Sequence, residues 1–323
     1  MKSVLVTGAT TPIGERLVRS LIADTRIDHV LATGREREED ALPFSRTSRL
    51  TYLQVDLRRS RRVRELLFGP ARDLEVECVV HLAEHRSSYD SGPRIYQQNV
   101  EALRSILDLS DRHPTIHRLV LKSDAVVYRV SLDLPVLVTE DHPLAMDPQQ
   151  PQYVRDRVEA DLTACTRMGL VDCEIVVLRC AEALAPGTGS QLFEFLNAPV
   201  ALRPFGFDPM VNVATIADLV DALELATHGH GEGVFNIPGY DTLPLSSAMH
   251  EWGTLGLPMF GSVIRPLYTI RHLATGSDFS YGINHHRMHY GLVLDGTRAR
   301  EVLGYTPDHP VDWPVGGPIR PEE

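Results

Sequence analysis

The fold of this chain is decided by SVLVTGATTPIGERLVRSLIAD, residues 3–24. The run SVLVTG is short, apolar and β-branched, which is typical of a buried strand. Two glycines, Gly8 and Gly14, punctuate the turn that follows, and ERLVRSLIAD then carries apolar residues at helical spacing. The stretch therefore predicts a strand, a tight turn and a helix beginning near Pro12.

The same alternation continues along the first half of the chain. Further strand-like runs are separated by segments long enough for helices, which predicts a doubly wound parallel sheet of the Rossmann-like α/β class. These runs are HVLAT (29–33), LTYLQVDL (50–57), CVVHLA (78–83), RLVLKSD (118–124) and CEIVVLRC (173–180).

After residue 180 the elements become shorter and richer in Pro and Gly. We expect a Rossmann domain over residues 1–180 and a smaller C-terminal α/β lobe over residues 181–323. The lobe is not independent, because VATIADLVDALELA (213–226) predicts a helix that packs back on the sheet and GVFNIP (233–238) predicts one more strand.

Composition excludes several classes of function. The 323 residues are 43% apolar and carry a formal net charge of −11, which argues against binding to nucleic acid. The sequence has no signal-peptide pattern and no apolar run of membrane-spanning length, and its four cysteines show no metal-binding spacing. We expect a cytoplasmic protein with no membrane partner.

Several short motifs, in this order, resemble one known family. They are TGATTPIG at the turn, VDL (55–57), VVHLA (79–83), NVEALRSIL (99–107), VVY (126–128) and LDGTRAREVLGYTP (294–307). Together they are similar to the extended short-chain dehydrogenase/reductases, the NAD-dependent epimerase/dehydratase group. Its turn commonly reads T-G-x-x-G-x-x-G, and Thr11 stands at the middle glycine.

The resemblance implies NAD or NADP as cofactor, with its pyrophosphate at the helix N-terminus. A Cβ at Thr11 crowds that position, so cofactor binding is expected to be weakened. The alternative interpretation is a strand-to-helix turn that binds no cofactor. Arg35 follows the second strand, where it can pair with a 2′-phosphate and favour NADP, or lie as a surface charge. The implied cofactor residues are Gly8, Thr10, Thr11, Pro12, Ile13, Gly14, Arg35, Asp56, Leu57, His81, Leu82, Ala83 and Asn99.

The family's catalytic tyrosine matches Tyr153, but Arg157 stands where a lysine is usual. Counting from the VVY motif places Asp124 at the position of the family's serine or threonine, and a register shift of one residue would place Ser123 there instead. An acid in place of a hydroxyl repels the substrate oxygen. We expect Arg157 and Asp124 to form an ion pair, for which bidentate geometry is reasonable, closing the active site.

Two functions stay open on these residues. The first is a non-catalytic or weakly active member that senses a nucleotide cofactor or binds a protein. The second is an active NAD(P)-dependent epimerase, dehydratase or reductase, acting on a sugar nucleotide or a similar substrate. We expect no metal site, although His285, His286 and His289 have a suitable spacing. The resemblance also points to a homodimer.

Overall fold

The computed structural model describes residues 2–41 and 47–315. Its central sheet has seven strands in the order β11-β7-β5-β4-β1-β2-β3, all parallel. This confirms the predicted Rossmann-like α/β class. The strands of the described residues are β1 (Lys2–Thr7), β2 (Ile27–Gly34), β3 (Leu50–Gln54), β4 (Val76–His81), β5 (Arg118–Asp124), β6 (Leu137–Val138), β7 (Glu174–Cys180), β8 (Glu182–Ala183), β9 (Val200–Pro204), β10 (Met210–Ala214), β11 (Gly233–Ile237), β12 (Asp241–Pro244), β13 (Leu255–Met259) and β14 (Val293–Leu294).

Helices cover both faces of this sheet. In the described residues they are α1 (Pro12–Ala23), α2 (Glu38–Ala41), α3 (Ser60–Leu66), α4 (Pro93–Tyr96), α5 (Ala102–Ser110), α6 (Gln152–Cys165), α7 (Gln191–Leu196), α8 (Ile216–His228), α9 (Leu245–Trp252), α10 (Gly261–Thr275), α11 (Tyr281–Asn284) and α12 (Arg287–Tyr290). Short π-helical stretches extend α3 through residue 71, join α4 to α5, and lie over residues 299–303; a 3-10 turn covers residues 125–127.

The core has two layers because each sheet face meets a different set of helices. Leu17 of α1 and Leu223 of α8 are fully buried in one layer. Val63 of α3, Leu103 of α5 and Ala164 of α6 are fully buried in the other. Burial on both faces matches strands that read as continuous apolar runs.

The residues after 180 contribute to both the sheet and a third apolar cluster. β11 pairs with β7 at the sheet edge, and α8 begins with a capping box in which Thr215 and Asp218 bond each other's backbone N–H groups. A separate apolar cluster around Phe195, Tyr268 and Phe279 draws its buried members from residues 192–313. No helix within residues 2–41 and 47–315 has the length and apolar character to span a bilayer.

Candidate active site

The turn after β1 requires both of its glycines. Gly8 has a φ of +69°, and a Cβ there would lie 2.8 Å from the Ala83 backbone nitrogen. A Cβ on Gly14 would lie 2.2 Å from the Gly8 carbonyl oxygen. The turn therefore brings its backbone against both the first turn of α1 and the end of β4, which is the packing that a dinucleotide-binding turn needs.

Thr11 uses its hydroxyl inside this turn. The hydroxyl donates to the Gly8 carbonyl at 2.9 Å and accepts from the Gly14 N–H at 3.0 Å, as the N-cap of α1. Pro12 follows and has no N–H to donate. Two positions of the first helical turn thus offer no backbone donor to a bound anion, and weakened pyrophosphate binding stays a prediction.

A cleft of about 320 Å³ opens beside the turn, at the carboxyl ends of β1, β2 and β4. Its volume lies within the range of about 300–1,000 Å³ for small-molecule sites. The predicted cofactor residues that line it are Gly8, Thr10, Thr11, Arg35, Asp56, Leu57 and Ala83.

The other predicted cofactor residues lie around the cleft rather than in its lining. Pro12, Ile13 and Gly14 form the first turn of α1, and the Leu82 backbone packs under Gly8. His81 is buried, and its Nδ1 lies 2.8 Å from the Thr7 hydroxyl oxygen.

Asn99 takes a supporting position near this region. Its amide oxygen accepts the His85 backbone N–H at 2.7 Å, and its Nδ2 donates to Asp156 at 3.2 Å. Asn99 therefore fixes the segment that follows β4 onto the helix that carries Tyr153.

Charged side chains surround the mouth of the cleft. The Arg35 guanidinium donates to Gln98 at 3.3 Å, and Asp56 forms a two-point ion pair with Arg58 at 2.8 Å. Hydrogen bonding to Arg58 lowers the pKa of Asp56. Glu36, which the sequence reasoning missed, accepts from the Thr10 hydroxyl at 2.7 Å, so the 2′-phosphate position implied for Arg35 has a carboxylate beside it.

Four charged side chains form a ring deeper in the molecule, at the ends of β4 and β5 and on α6. Lys122 and Arg157 are buried, and Glu84 and Asp124 are partly buried. Lys122 Nζ lies 2.8 Å from both Glu84 and Asp124. Arg157 Nε lies 3.0 Å from Asp124, and its Nη2 lies 3.7 Å from Glu84. The charges alternate and cancel, so each ion has two partners of opposite sign.

The predicted pairing of Arg157 with Asp124 is present, but through one nitrogen rather than bidentate. The second arm of the guanidinium turns to Glu84 and to the His85 carbonyl at 3.2 Å. Burial alone would raise the pKa of Asp124, but the charges of Lys122 and Arg157 hold it well below its usual range. Asp124 is therefore an acceptor only, with no proton to donate to a substrate oxygen.

Tyr153 lies against the guanidinium of Arg157, one helical turn along α6. The Arg157 Cζ is 3.6 Å from the centre of the Tyr153 ring, a cation–π stack. The phenol hydroxyl lies 3.4 Å from the Gly189 carbonyl oxygen. Burial raises the pKa of Tyr153 far above its usual value, although the Arg157 charge opposes this.

Ser123 is not brought to Tyr153. Side chains alternate along β5, so Ser123 faces the side opposite Lys122 and Asp124. Its hydroxyl donates to Asp161 at 2.7 Å, in a buried group where Arg179 pairs with the same carboxylate at 2.6 Å. The structure thus gives Asp124, and not Ser123, the place beside Arg157.

The space around Tyr153 is small. The cavity that Tyr153, Arg157, Asp124 and Glu84 line has a volume of about 30 Å³, room for about two water molecules. The residues present therefore fit the ADP half of a dinucleotide, in the cleft beside Gly8. They do not fit a nicotinamide riboside next to Tyr153 in this arrangement.

Comparison with known proteins agrees with this geometry. The NAD dependent epimerase/dehydratase family profile matches residues 4–198, and the chain belongs to that family. An uncharacterized protein of Mycobacterium tuberculosis is 29% identical over 320 residues, covering 95% of this chain and 80% of the relative. An uncharacterized protein of Mycobacterium bovis matches to the same extent.

Solved structures share the fold over almost the whole chain. The dTDP-glucose 4,6-dehydratase of Bacillus anthracis, in complex with NAD, has a TM-score of 0.69 and 16% identity, covering 96% of this chain and 92% of that one. The UDP-glucuronic acid 4-epimerase of Bacillus cereus, in complex with UDP-glucuronic acid and NAD, also has a TM-score of 0.69 and 16% identity, with 95% of both chains covered. The family supports NAD(P) as the cofactor class for the cleft, and the solved structures support the fold.

Two members of the charge ring, Glu84 and Lys122, escaped the sequence reasoning. Lys122 carries a usable signal, because it lies two residues before Asp124 on the same strand and therefore on the same face. Glu84 directly follows the VVHLA motif, at the end of the neighbouring strand. Parallel strands end at the same edge of a sheet, so a carboxylate that follows β4 lies close to Lys122 near the end of β5.

Proposed function

We propose that this protein is a cytoplasmic member of the epimerase/dehydratase family that binds NAD(P) but does not run the family's reaction at ordinary enzyme rates. It acts as a nucleotide sensor or interaction module. The observation that carries the proposal is the closed ring of Glu84, Lys122, Asp124 and Arg157 beside Tyr153. Four cysteines that form no disulfide, three of them buried, support a reducing compartment.

The ring removes the features that a catalytic tyrosine needs. A phenol with an ordinary pKa of about 10 must be helped to ionise near neutral pH. Here the positive charge of Arg157 is shared by two carboxylates and stacks on the ring face of Tyr153. Asp124 stands where a hydroxyl donor is expected and, being ionised, has no proton to offer a substrate oxygen.

A second candidate is an active enzyme on a sugar nucleotide, and Arg287 is the observation that favours it. Arg287 pairs with Glu182 at 2.8 Å and lines both the cavity at Tyr153 and an adjoining cavity of about 50 Å³. Its Nη2 is buried and has no hydrogen-bond partner in the part of the chain that the structure describes. An unpaired guanidinium nitrogen on a residue that lines the same cavity as Tyr153 suits an anionic substrate.

Turnover measurements separate these two functions. The purified protein is incubated with NAD and with UDP-glucose, dTDP-glucose or UDP-glucuronic acid, and products are followed by chromatography beside a Tyr153→Phe variant. We expect no product above the level of that variant. Turnover on the order of 1 s⁻¹, an ordinary enzyme rate, that disappears in Tyr153→Phe would overturn the proposal.

The partner of such a module remains a proposal as well. We propose that the protein pairs with a second copy of itself and has neither nucleic acid nor a membrane as partner, in keeping with its net charge of −11. Light scattering after size-exclusion chromatography tests the pairing, and a monomer at micromolar concentration would contradict it.

A further inference from the structure

We infer that the protein binds NAD(P) through the ADP half alone, leaving the nicotinamide riboside half outside the folded chain. The inference rests on the proposed function and names the ligand class of the same cleft: an adenine nucleotide carrying a diphosphate, whatever its redox state. It follows from two barriers between the cleft and Tyr153.

The first barrier is a bridge formed by Arg86. Its guanidinium donates to the Gly187 carbonyl, and a Cβ on Gly189 would lie only 3.0 Å from Arg86 Cβ. The loop of Gly187 also rests on α1, since a Cβ on Gly187 would lie 3.3 Å from Pro12 Cγ. Arg86 therefore joins two loops across the path that leads from the glycine turn towards Tyr153.

The segment that carries Arg86 is fastened to the C-terminal lobe. The Ser87 hydroxyl donates to Asp278 at 2.7 Å, and the Ser88 backbone N–H donates to the same carboxylate at 2.9 Å. The Tyr89 ring stacks on His272 with 3.6 Å between ring centres. These contacts fix the chain directly after Arg86, and so limit the movement of the bridge.

The second barrier is the charge ring itself. Glu84 lines both the cleft and the cavity at Tyr153, so it stands at the boundary between them. A nicotinamide riboside that passed this point would have to displace Glu84 from Lys122 and leave a buried ammonium with one fewer partner. A pyrophosphate bound beside Gly8 would not have to displace Glu84 from Lys122.

The ADP side keeps the glycine turn and the open volume that a nucleotide diphosphate needs. The close-packed turn at Gly8 leads to the N-terminus of the 12-residue helix α1. Arg35 and Arg58 line the 320 Å³ cleft together with the carboxylates of Glu36 and Asp56. This half of the site is open, whereas the half at Tyr153 is filled by side chains of the protein.

Calorimetric titration with NAD, NADH, ADP and nicotinamide mononucleotide tests the inference. We expect NAD, NADH and ADP to bind within about threefold of one another, and nicotinamide mononucleotide not to bind. NAD binding more than tenfold tighter than ADP, binding of the mononucleotide, or failure of ADP to bind would each overturn it. Turnover tests the proposed function, whereas these titrations test the mode of binding. Failure of one can therefore be told from failure of the other.

The location of binding needs its own readout. In proton NMR of NAD with substoichiometric protein, the adenine protons should broaden while the nicotinamide protons stay narrow; equal broadening of both would contradict the inference. Thr10→Glu places a negative charge in the cleft lining and should weaken ADP binding at least tenfold. Thr166→Glu, at the exposed C-cap of α6 and outside the cleft lining, is the matched control and should bind ADP normally.

Discussion

Replacing Asp124 with Asn should destabilise the fold strongly, because it unbalances a ring of charge whose two cations, Lys122 and Arg157, are buried. Asp124 contacts Lys122 at 2.8 Å and Arg157 at 3.0 Å, and its side chain is only 20% exposed. Breaking one partner of a buried ion pair typically costs about 3–5 kcal/mol. Asn retains one acceptor oxygen, so we expect the lower end, about 3 kcal/mol in the free energy of unfolding measured by urea denaturation.

A double variant separates charge balance from mere disturbance of packing. Combining Asp124→Asn with Lys122→Met leaves Glu84 and Arg157, which again sum to zero. The double variant should therefore be less destabilised than the sum of the single variants, by at least about 2 kcal/mol. Glu65→Gln, in the exposed pair with Arg61, should leave the denaturation midpoint unchanged.

The pH dependence of the same variant gives a second check. The pKa of Asp124 is lowered in the folded protein, so its contribution is complete above the unfolded value of about 3.9 and is lost as the pH falls below it. The stability gap between the natural protein and Asp124→Asn should be constant from pH 8 to pH 5. Additive single effects would contradict the role of the charge ring, as would a gap under about 0.5 kcal/mol at pH 7, the scale of an ordinary surface substitution.

Three further outcomes test other parts of the structure. Gly14→Ala places a Cβ 2.2 Å from the Gly8 carbonyl and should cost about 1–3 kcal/mol in urea denaturation; a neutral result would contradict the close packing of the turn. Glu36→Gln should improve binding of 2′,5′-ADP relative to ADP about fivefold in calorimetry, because a carboxylate beside the 2′-phosphate is removed. Burial lowers the pKa of His81 to about 4 in the folded protein, whereas His81 of the unfolded chain binds a proton below about pH 6.5. The free energy of unfolding should therefore fall by up to roughly 3 kcal/mol between pH 6.5 and 4. His81→Gln should remove that part of the acid sensitivity, and an unchanged pH profile would argue against it.

The sheet was predictable because its strands carry their own signal. Buried parallel strands read as apolar runs, and each of the runs found after residue 24 falls on a strand of the central sheet. The glycine turn was predictable for the same local reason. The local pattern could not show that the Thr11 hydroxyl forms hydrogen bonds with the backbone of Gly8 and Gly14, because these bonds depend on the rotamer of one side chain.

The site was predictable only where spacing along one element decides it. Tyr153 and Arg157 are one helical turn apart, and their likeness to the family's tyrosine and lysine directed attention to them. The ring needs residues from three elements, and the partner at Glu84 is set by how strands pair rather than by sequence distance. The sequence also left open whether Ser123 or Asp124 faces Tyr153, because a shift of one residue along a strand moves a side chain to the opposite face of the sheet.

The most direct test of the closed site is a crystal structure of the protein with saturating NAD. We expect an ordered ADP moiety in the cleft beside Gly8, with the Arg157–Asp124 contact kept near 3.0 Å and no ordered nicotinamide ring against Tyr153. An ordered nicotinamide at Tyr153, with Glu84 and Arg157 moved apart to admit it, would show that the site is not closed.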